Sequence, residues 1–364
     1  QIDNRGERAV KRMICPYVTG VTALGEDGTD ALYVPSRMGR KDSDPTTSNL
    51  DVHRYPSGFG TMQFVAYLAD ERGIYAAAED TEGYAKRLEF VEIEDQPFME
   101  YRPAHLVPYQ PGEDISIPYP MTLGVHQGNW MTACDRYRNW VESEGWLENT
   151  EPRPAQWYSR QGVSYEINSY YRPGGDYDRS YPFDEVRSFV SSLADRLGIP
   201  FGTEWNGWHT YGYPGAGDWW PPKEGIAEYR QTVESLQTAE IEPSAWINPT
   251  RVYAGSDYWR GLSDPDRLPI TVRDGEYRPY DFGIGYDEEF YQTSASQPQW
   301  QAHYSSAFDR VSEAGVRHFE LDGFPWQWVP NCWNSDHDHP DGKGGKWHPT
   351  RMRQYLSSLR DKHG

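Results

Sequence analysis

The sequence predicts a multidomain β plus α/β molecule: an antiparallel β-sandwich, present in part, followed by the first four strand–helix units of a (β/α)8 TIM-type barrel. Three observations carry that expectation. Residues 1 to about 125 read as apolar runs separated by short turns rich in Gly and Pro, the grammar of antiparallel strands. Beyond residue 156, strand-like runs alternate with helix-length amphipathic runs, which implies a parallel sheet. In that second part polar residues collect at the C-terminal ends of the strands, where barrels keep their functional groups.

The elements follow in order. "TMQFVAYLAD-ERG-IYAAAED" is the clearest hairpin, two apolar runs joined by a short turn containing Gly73. "YAKRLEFVEIED" and "DISIPYPMTLGVH" are further strands. "NWMTACDRYRNWVESEGW" has helical periodicity, with Trp130, Cys134, Tyr137, Trp140 and Val141 on one stripe. "ENTEPRPAQ" is polar, carries two prolines and reads as a linker. The expected domains are therefore 1–128 (sandwich), 129–155 (connector helix and linker) and 156–364 (N-terminal half of a barrel).

In the second part "GVSYEIN" (162–168) is a strand and "FDEVRSFVSSLADRLG" (183–198) a helix. Its apolar face is Phe183, Val186, Phe189, Val190, Leu193 and Leu197, and Gly198 stops it. "IPFGTEWNGW" (199–208) is the second strand, and a helix over 224–239 follows with Ile226, Tyr229, Val233 and Leu236. "IEPSAWINP" (241–249) is the third strand. A helix over 299–314 (Trp300, Tyr304, Ala307, Phe308, Val311) ends at Gly315 and feeds the fourth, "RHFELDGFPW" (317–326). A last helix covers 349–361. No Gly-rich phosphate loop follows the first strand, which disfavours a doubly wound nucleotide-binding sheet. Glu166 and Asn168, Glu204 and Asn206, Asn248, and Asp322 share one parity on their strands, so all can face a barrel interior at its upper rim.

Composition excludes several classes. The net charge of −20 disfavours nucleic acid and anionic membranes as partners. No apolar run approaches the ~20 residues of a membrane span. The cations are 28 Arg against 7 Lys, and a Lys-poor acidic surface suits high salt; an extracellular or cell-surface setting is the expectation. Cys15, Cys134 and Cys332 form neither a disulfide framework nor a zinc ribbon. The 15 tryptophans exceed what a core of this size needs, and flat apolar faces with a polar edge suit sugar rings.

Three stretches carry a family resemblance. "RYPSGFGTMQFVAYLADERGIYAAAEDTEGYAKRL" (54–88) resembles the tail of the N-terminal sandwich in many barrel glycosidases, and "WMTACDRYRNWVESEGW" their connector. "GVRHFELDGFPW", Cys332, "HDHPDGKGGKW" and a helix ending in "LSSLR" resemble the fourth-strand region of a glycosidase-like family. That family is distantly related to the retaining α-galactosidases and α-glucosidases. The resemblance implies a glycoside hydrolase with Asp322 as nucleophile, the Cys332–Trp347 loop shaping the sugar site, and an acid/base from a later barrel strand. Glycosidases need two carboxyl groups, roughly 5–5.5 Å apart for retention and 6.5–9.5 Å for inversion. Within this chain Glu204 and Glu166 are the strand-tip candidates beside Asp322. Glu204 is taken as the catalytic partner. Glu166, Asn168, Asn206, Trp208, Asn248, Trp326, Cys332, His337, His339 and Trp347 are taken as sugar ligands, and at least two of Trp205, Trp208, Trp326 and Trp328 are expected to line the cleft.

Two alternatives stay open. A non-catalytic carbohydrate-binding or assembly protein would keep the fold without the full machinery. A metal-dependent hydrolase would use "CWNSDHDHPDGKGGKWH", with His337, His339 and His348 beside Asp336, Asp338 and Asp341. That alternation in a Gly-rich loop lacks fixed geometry, so neither metal nor other cofactor is expected. The partner is a carbohydrate. Four strand–helix units are half a barrel with open edges, so the remaining half is expected from the same parent chain or from a second copy.

Overall fold

A computed structural model of the chain describes residues 2–8, 10, 12–25, 29–43, 53–57, 60–94, 96, 98–107, 111–145, 163–167, 181–209, 217–267, 290–294, 297–322, 332, 334, 337, 339 and 345–363. The chain forms two compact units. The first comprises Gln1–Glu151, Pro325–Trp333 and His339–Arg351; the second comprises Pro152–Phe324, Asn334–Asp338 and Met352–Gly364.

The first unit opens with β1 (Met13–Ile14), β2 (Val18–Val21), β3 (Ala31–Val34), β4 (Arg40–Ser43), β5 (His53–Tyr55) and β6 (Phe64–Ala69). It continues with β7 (Arg72–Ala78), β8 (Lys86–Leu88), β9 (Phe90–Glu92), β10 (Met99–Tyr101), β11 (Ala104–His105), β12 (Met121–Gln127) and the helix α1 (Trp130–Ser143). The strands form three antiparallel sheets, ordered β1-β11-β8-β5, β2-β10-β9 and β12-β7-β6-β3-β4. Strand β6 is buried at every position because both its faces are covered. Val65 and Tyr67 join a core with Val21, Phe90, Met99 and Tyr101, while Phe64, Ala66 and Leu68 pack with Ala133 and Tyr137 of α1. That double burial explains an unbroken apolar run in an antiparallel strand.

Two expectations change here. The hairpin turn is made by Asp70 and Glu71, both at positive φ, while Gly73 lies inside β7 opposite Leu68. A Cβ on Gly73 would sit 2.0 Å from the Tyr67 carbonyl oxygen, so the glycine permits close approach of the two strands. On α1, Ala133 and Tyr137 are the buried positions and Trp130 faces solvent.

The second unit is a four-stranded parallel sheet, ordered β13 (Val163–Ile167), β14 (Phe201–Trp205), β15 (Ile241–Ile247), β18 (His318–Leu321). Its helices are α2 (Phe183–Leu197), α3 (Ile226–Thr238), α6 (Pro298–Glu313) and, from Met352 onward, α7 (Trp347–His363). Between β15 and α6 lie β16 (Arg251–Tyr253), α4 (Asp257–Gly261), α5 (Asp264–Arg267) and β17 (Phe290–Gln292), with β16 and β17 paired antiparallel. One sheet face carries Phe201, Trp205, Ala245, Ile247, Phe319 and Leu321, and these join the helix residues Val190, Tyr229, Val233, Tyr304, Phe308 and Tyr355 in one core. The opposite face carries Glu204, Ser244, Trp246, Glu320 and His318 by the pleat. Among the described residues the parallel sheet has four strands and no closed barrel, and no helix is long and apolar enough to cross a membrane.

Helix stripes are narrower than their periodicity suggests. On α2 Phe183, Val186 and Val190 are buried, whereas Phe189 and Leu197 are exposed; Gly198 caps the helix at φ 63°. On α3 Ile226 is exposed and Tyr229, Val233 and Leu236 are buried. All five apolar positions expected on α6 are buried.

Candidate active site at the strand tips

Register places the polar residues in layers on the sheet face opposite the helix-packed one. His318 is level with Ser244 and Glu204; Glu320 is level with Trp246; the Asp322 N–H donates to the Ile247 carbonyl at 3.0 Å, which puts Asp322 level with Asn248 at the rim. Gly323 onward lies outside the described residues.

Asp322 is held from two sides. The Asn248 amide donates to its Oδ2 at 3.2 Å, and an Arg251 guanidinium nitrogen lies 3.7 Å from the same oxygen. Asn248 has its own orientation fixed, because its Oδ1 accepts from the Thr250 N–H (3.1 Å) and the Thr250 hydroxyl (2.8 Å). That arrangement leaves the NH₂ end for the carboxylate. The short Asn248–Arg251 link is pinned from behind, where the Pro249 carbonyl accepts from Thr293 Oγ1 (3.0 Å) and Trp300 Nε1 (2.5 Å). Arg251 and Asn248 are buried, while the Asp322 side chain keeps 18% of its surface. A supported carboxylate with residual solvent access at a strand tip can act as a nucleophile or accept a hydroxyl.

The other expected site residues divide. Asn206 is buried just past the tip of β14. Glu204 is half-buried, four residues of rise below the Asp322 layer and two strands across. With ordinary strand rise and spacing that is about 16 Å between backbones. The separation is too large for the acid/base partner of Asp322, so the catalytic assignment of Glu204 is corrected. Glu166 pairs in register with Glu204, and only its backbone belongs to the described structure. Trp208 has no exposed surface; its indole donates to the Trp246 carbonyl at 3.0 Å and it packs on Tyr229. Trp205 stacks on Tyr229 and meets Phe183 edge-on, on the helix-facing side. Both tryptophans expected at the cleft from β14 are therefore core residues. Asn168, Trp326 and Trp328 lie outside the described residues.

In the loop, His339 stacks on Trp347 with ring centroids 3.9 Å apart, and ligand atoms of Cys332 and His339 approach within 4.8 Å. A thiol and an imidazole are donors that suit zinc. His337 is buried and meets the Asn334 amide at 3.0 Å. His348 is buried too, and burial lowers its pKa to about 4.

Sequence reasoning missed Arg251 and His209. "NPTR" contains the arginine, and a strand-tip Asn followed three residues later by Arg was a readable signal. His209 gave none: it is 1% exposed, stacks on Trp246 at 14°, has no hydrogen-bond partner for either ring nitrogen among the described residues, and burial lowers its pKa to about 3.

Residues 115–364 match the family described as a domain of unknown function, DUF6259. The chain belongs to this family. Two curated relatives of this DUF6259 chain carry names that assign them provisionally to the glycoside hydrolases. One, from Monosiga brevicollis, is 24% identical over 350 residues, covering 85% of this chain and 28% of its own length. The other, from Bacteroides thetaiotaomicron, is 22% identical over 321 residues, covering 84% and 44%. The chain thus spans less than half the length of either. Among solved structures, the α-N-acetylgalactosaminidase NagBb from Bifidobacterium bifidum superposes with a TM-score of 0.70 at 13% identity, over 96% of this chain and 60% of that one. The α-galactosidase TtGalA from Thermus thermophilus gives 0.57 at 13% identity, over 98% and 69%. The DUF6259 chain therefore has the fold of these proteins across almost its whole length, and the expected likeness to α-galactosidases holds at the level of the fold.

Proposed function

We propose that the chain is part of a glycoside hydrolase acting on an α-linked saccharide with retention, and that Asp322 is the nucleophile. The observation that supports this most is the support of Asp322 at the tip of β18 by Asn248 and Arg251, in a chain whose fold is that of α-galactosidases. In such a step an Asp322 oxygen attacks the anomeric carbon, a carboxyl–sugar ester forms, and the glycosidic C–O bond breaks. The leaving oxygen takes a proton from a second carboxyl group, and water then cleaves the ester from the other face. Arg251 and Asn248 orient the attacking carboxylate.

The test is covalent trapping with fluorinated α-galactosyl and α-glucosyl donors, followed by peptide mass mapping. An adduct on Asp322, with turnover of aryl α-glycosides abolished in Asp322→Asn, is the expected result. Wild-type turnover in Asp322→Asn overturns the assignment. A second reading, a carbohydrate-binding protein without turnover, rests on the same supported carboxylate, which can accept a sugar hydroxyl without reacting. It would show saccharide binding with neither adduct nor product. Activity should also survive chelation with EDTA; its loss, with restoration by zinc, would favour the metal reading of the Cys332–His339 region instead.

A further inference from the structure

We propose that the second unit carries a saccharide-binding pocket separate from the strand-tip site, walled by Trp219, Trp220 and Tyr258 and rimmed by Asp218, Ser306 and Arg310. The cavity has a volume of about 510 Å³ and shares no lining residue with the Asp322 site. That volume lies within the range of small-molecule sites and exceeds a single sugar ring.

The walls are fixed before any ligand arrives. His303 Nε2 bonds the Gly217 carbonyl at 2.6 Å, and the imidazole stacks on Tyr258 with centroids 3.5 Å apart and planes at 17°. The same ring meets Trp219 at 5.4 Å. Burial lowers the His303 pKa to about 4, so the ring is neutral near pH 7. Asp218 accepts from the N–H groups of Asp257 (2.5 Å) and Tyr258 (2.9 Å), which holds its carboxylate at the rim. Gly217, at φ 120°, makes the turn that brings Asp218 and Trp219 to the cavity.

Three features select the ligand class. Asp218 presents a carboxylate at the rim. Arg310 is exposed and carries no ion pair among the described residues, and Ser306 is exposed beside it on α6. An apolar occupant would leave these polar groups unmatched, and an anion would face Asp218. A neutral ring bearing hydroxyl groups meets both charges: hydroxyls accept from Arg310 and donate to Asp218, while the C–H face lies on an aromatic wall. The pocket shares the carbohydrate chemistry of the proposed function but none of its residues.

The test is saturation-transfer NMR and fluorescence titration of the intact protein with methyl α-D-galactoside and methyl α-D-glucoside. Wild type is compared with Ser306→Trp, which plugs the cavity from an exposed helix position, with Arg310→Ala, and with Asp322→Asn. The expected result is a binding event that survives Asp322→Asn and is weakened about tenfold in Ser306→Trp, the weight of one lost aromatic contact. Arg310→Ala should weaken it by a smaller factor. Failure of either glycoside to bind wild type, or binding unchanged in Ser306→Trp and Arg310→Ala, overturns the pocket. Binding lost only in Asp322→Asn also overturns it and leaves the strand-tip reading standing. Binding lost only in Ser306→Trp supports the pocket whatever becomes of Asp322.

Discussion

At Asn248 one amide has both ends committed: its oxygen to Thr250, its nitrogen to Asp322. Asn248→Asp would place a second carboxylate against the first, in a layer where Arg251 supplies the positive charge among the described residues. Turnover of aryl α-glycosides should fall by at least about a hundredfold, because an oriented donor to a reacting group is replaced by a like charge. Asn248→Ala should lose less; equal losses would mean the carboxylate needs no orientation. His209 is a separate matter of stability. Its folded pKa of about 3, like the values of about 4 at His303 and His318, lies below the roughly 6.5 of an unfolded chain. The unfolded state therefore binds more protons between those values, so this contribution is complete above about pH 6.5 and is lost as pH falls toward 4 and below. It also means that the His318–Glu242 contact at 3.4 Å is not an ion pair at neutral pH. His209→Phe keeps a ring against Trp246 and forfeits no hydrogen bond to the described residues. Urea unfolding between pH 6.5 and 4 should show a pH slope lower by up to about 1.4 kcal/mol per unit than wild type, and an unchanged slope would show that His209 is protonated in the folded state.

Elements were legible wherever one face is apolar and the other wet. The strand and helix alternation of the second unit, the stop at Gly198 and the inward parity of Asp322 and Asn248 follow from period and punctuation alone. What periodicity cannot give is the width of the buried stripe, which depends on the partner. Phe189 and Phe183 fit the α2 pattern equally, yet Phe183 fits between Trp205 and Tyr229 while Phe189 is 52% exposed. Phe189→Gln should thus change unfolding free energy by no more than about 0.5 kcal/mol. Phe183→Ala should cost about 3–5 kcal/mol by opening a cavity in the core; similar values in urea titrations would show the helix rotated from this register. Trp208 misled for a related reason. Its position past a strand tip suits a cleft, but the carbonyl of Trp246 and the ring of Tyr229 draw it inward. Glu204 was placed by parity, which fixes a face and says nothing about height along the strand. Height comes from interstrand register, and register is a property of pairs of strands that no single segment displays.

Across the whole molecule charge is the dominant sequence-level quantity, and it was legible without any structure. A net charge of −20 spread over a surface with few lysines raises the free energy of the compact state through self-repulsion. The ion pairs with exposed partners, such as Arg138–Glu142 at 2.9 Å and Arg260–Asp257 at 2.6 Å, are worth little individually. Added salt weakens them, but it weakens the net repulsion too, since the screening length shrinks from about 10 Å at 0.1 M to about 3 Å at 1 M. With 55 acidic residues against 35 basic ones, repulsive pairs outnumber attractive ones, so screening favours the folded state. The buried pair of Lys86 with Asp80, covered on all sides and supported by Gln63 at 2.8 Å, is largely insensitive to salt and keeps the first unit's polar core intact. The unfolding temperature should therefore rise between 0.1 and 1 M NaCl, as the screening length shortens about threefold. Potassium chloride should act like sodium chloride, because screening depends on ionic strength rather than on the ion. A midpoint that falls monotonically with salt would mean that local ion pairs outweigh the global charge, and the high-salt expectation drawn from the Arg-over-Lys composition would lose its physical basis.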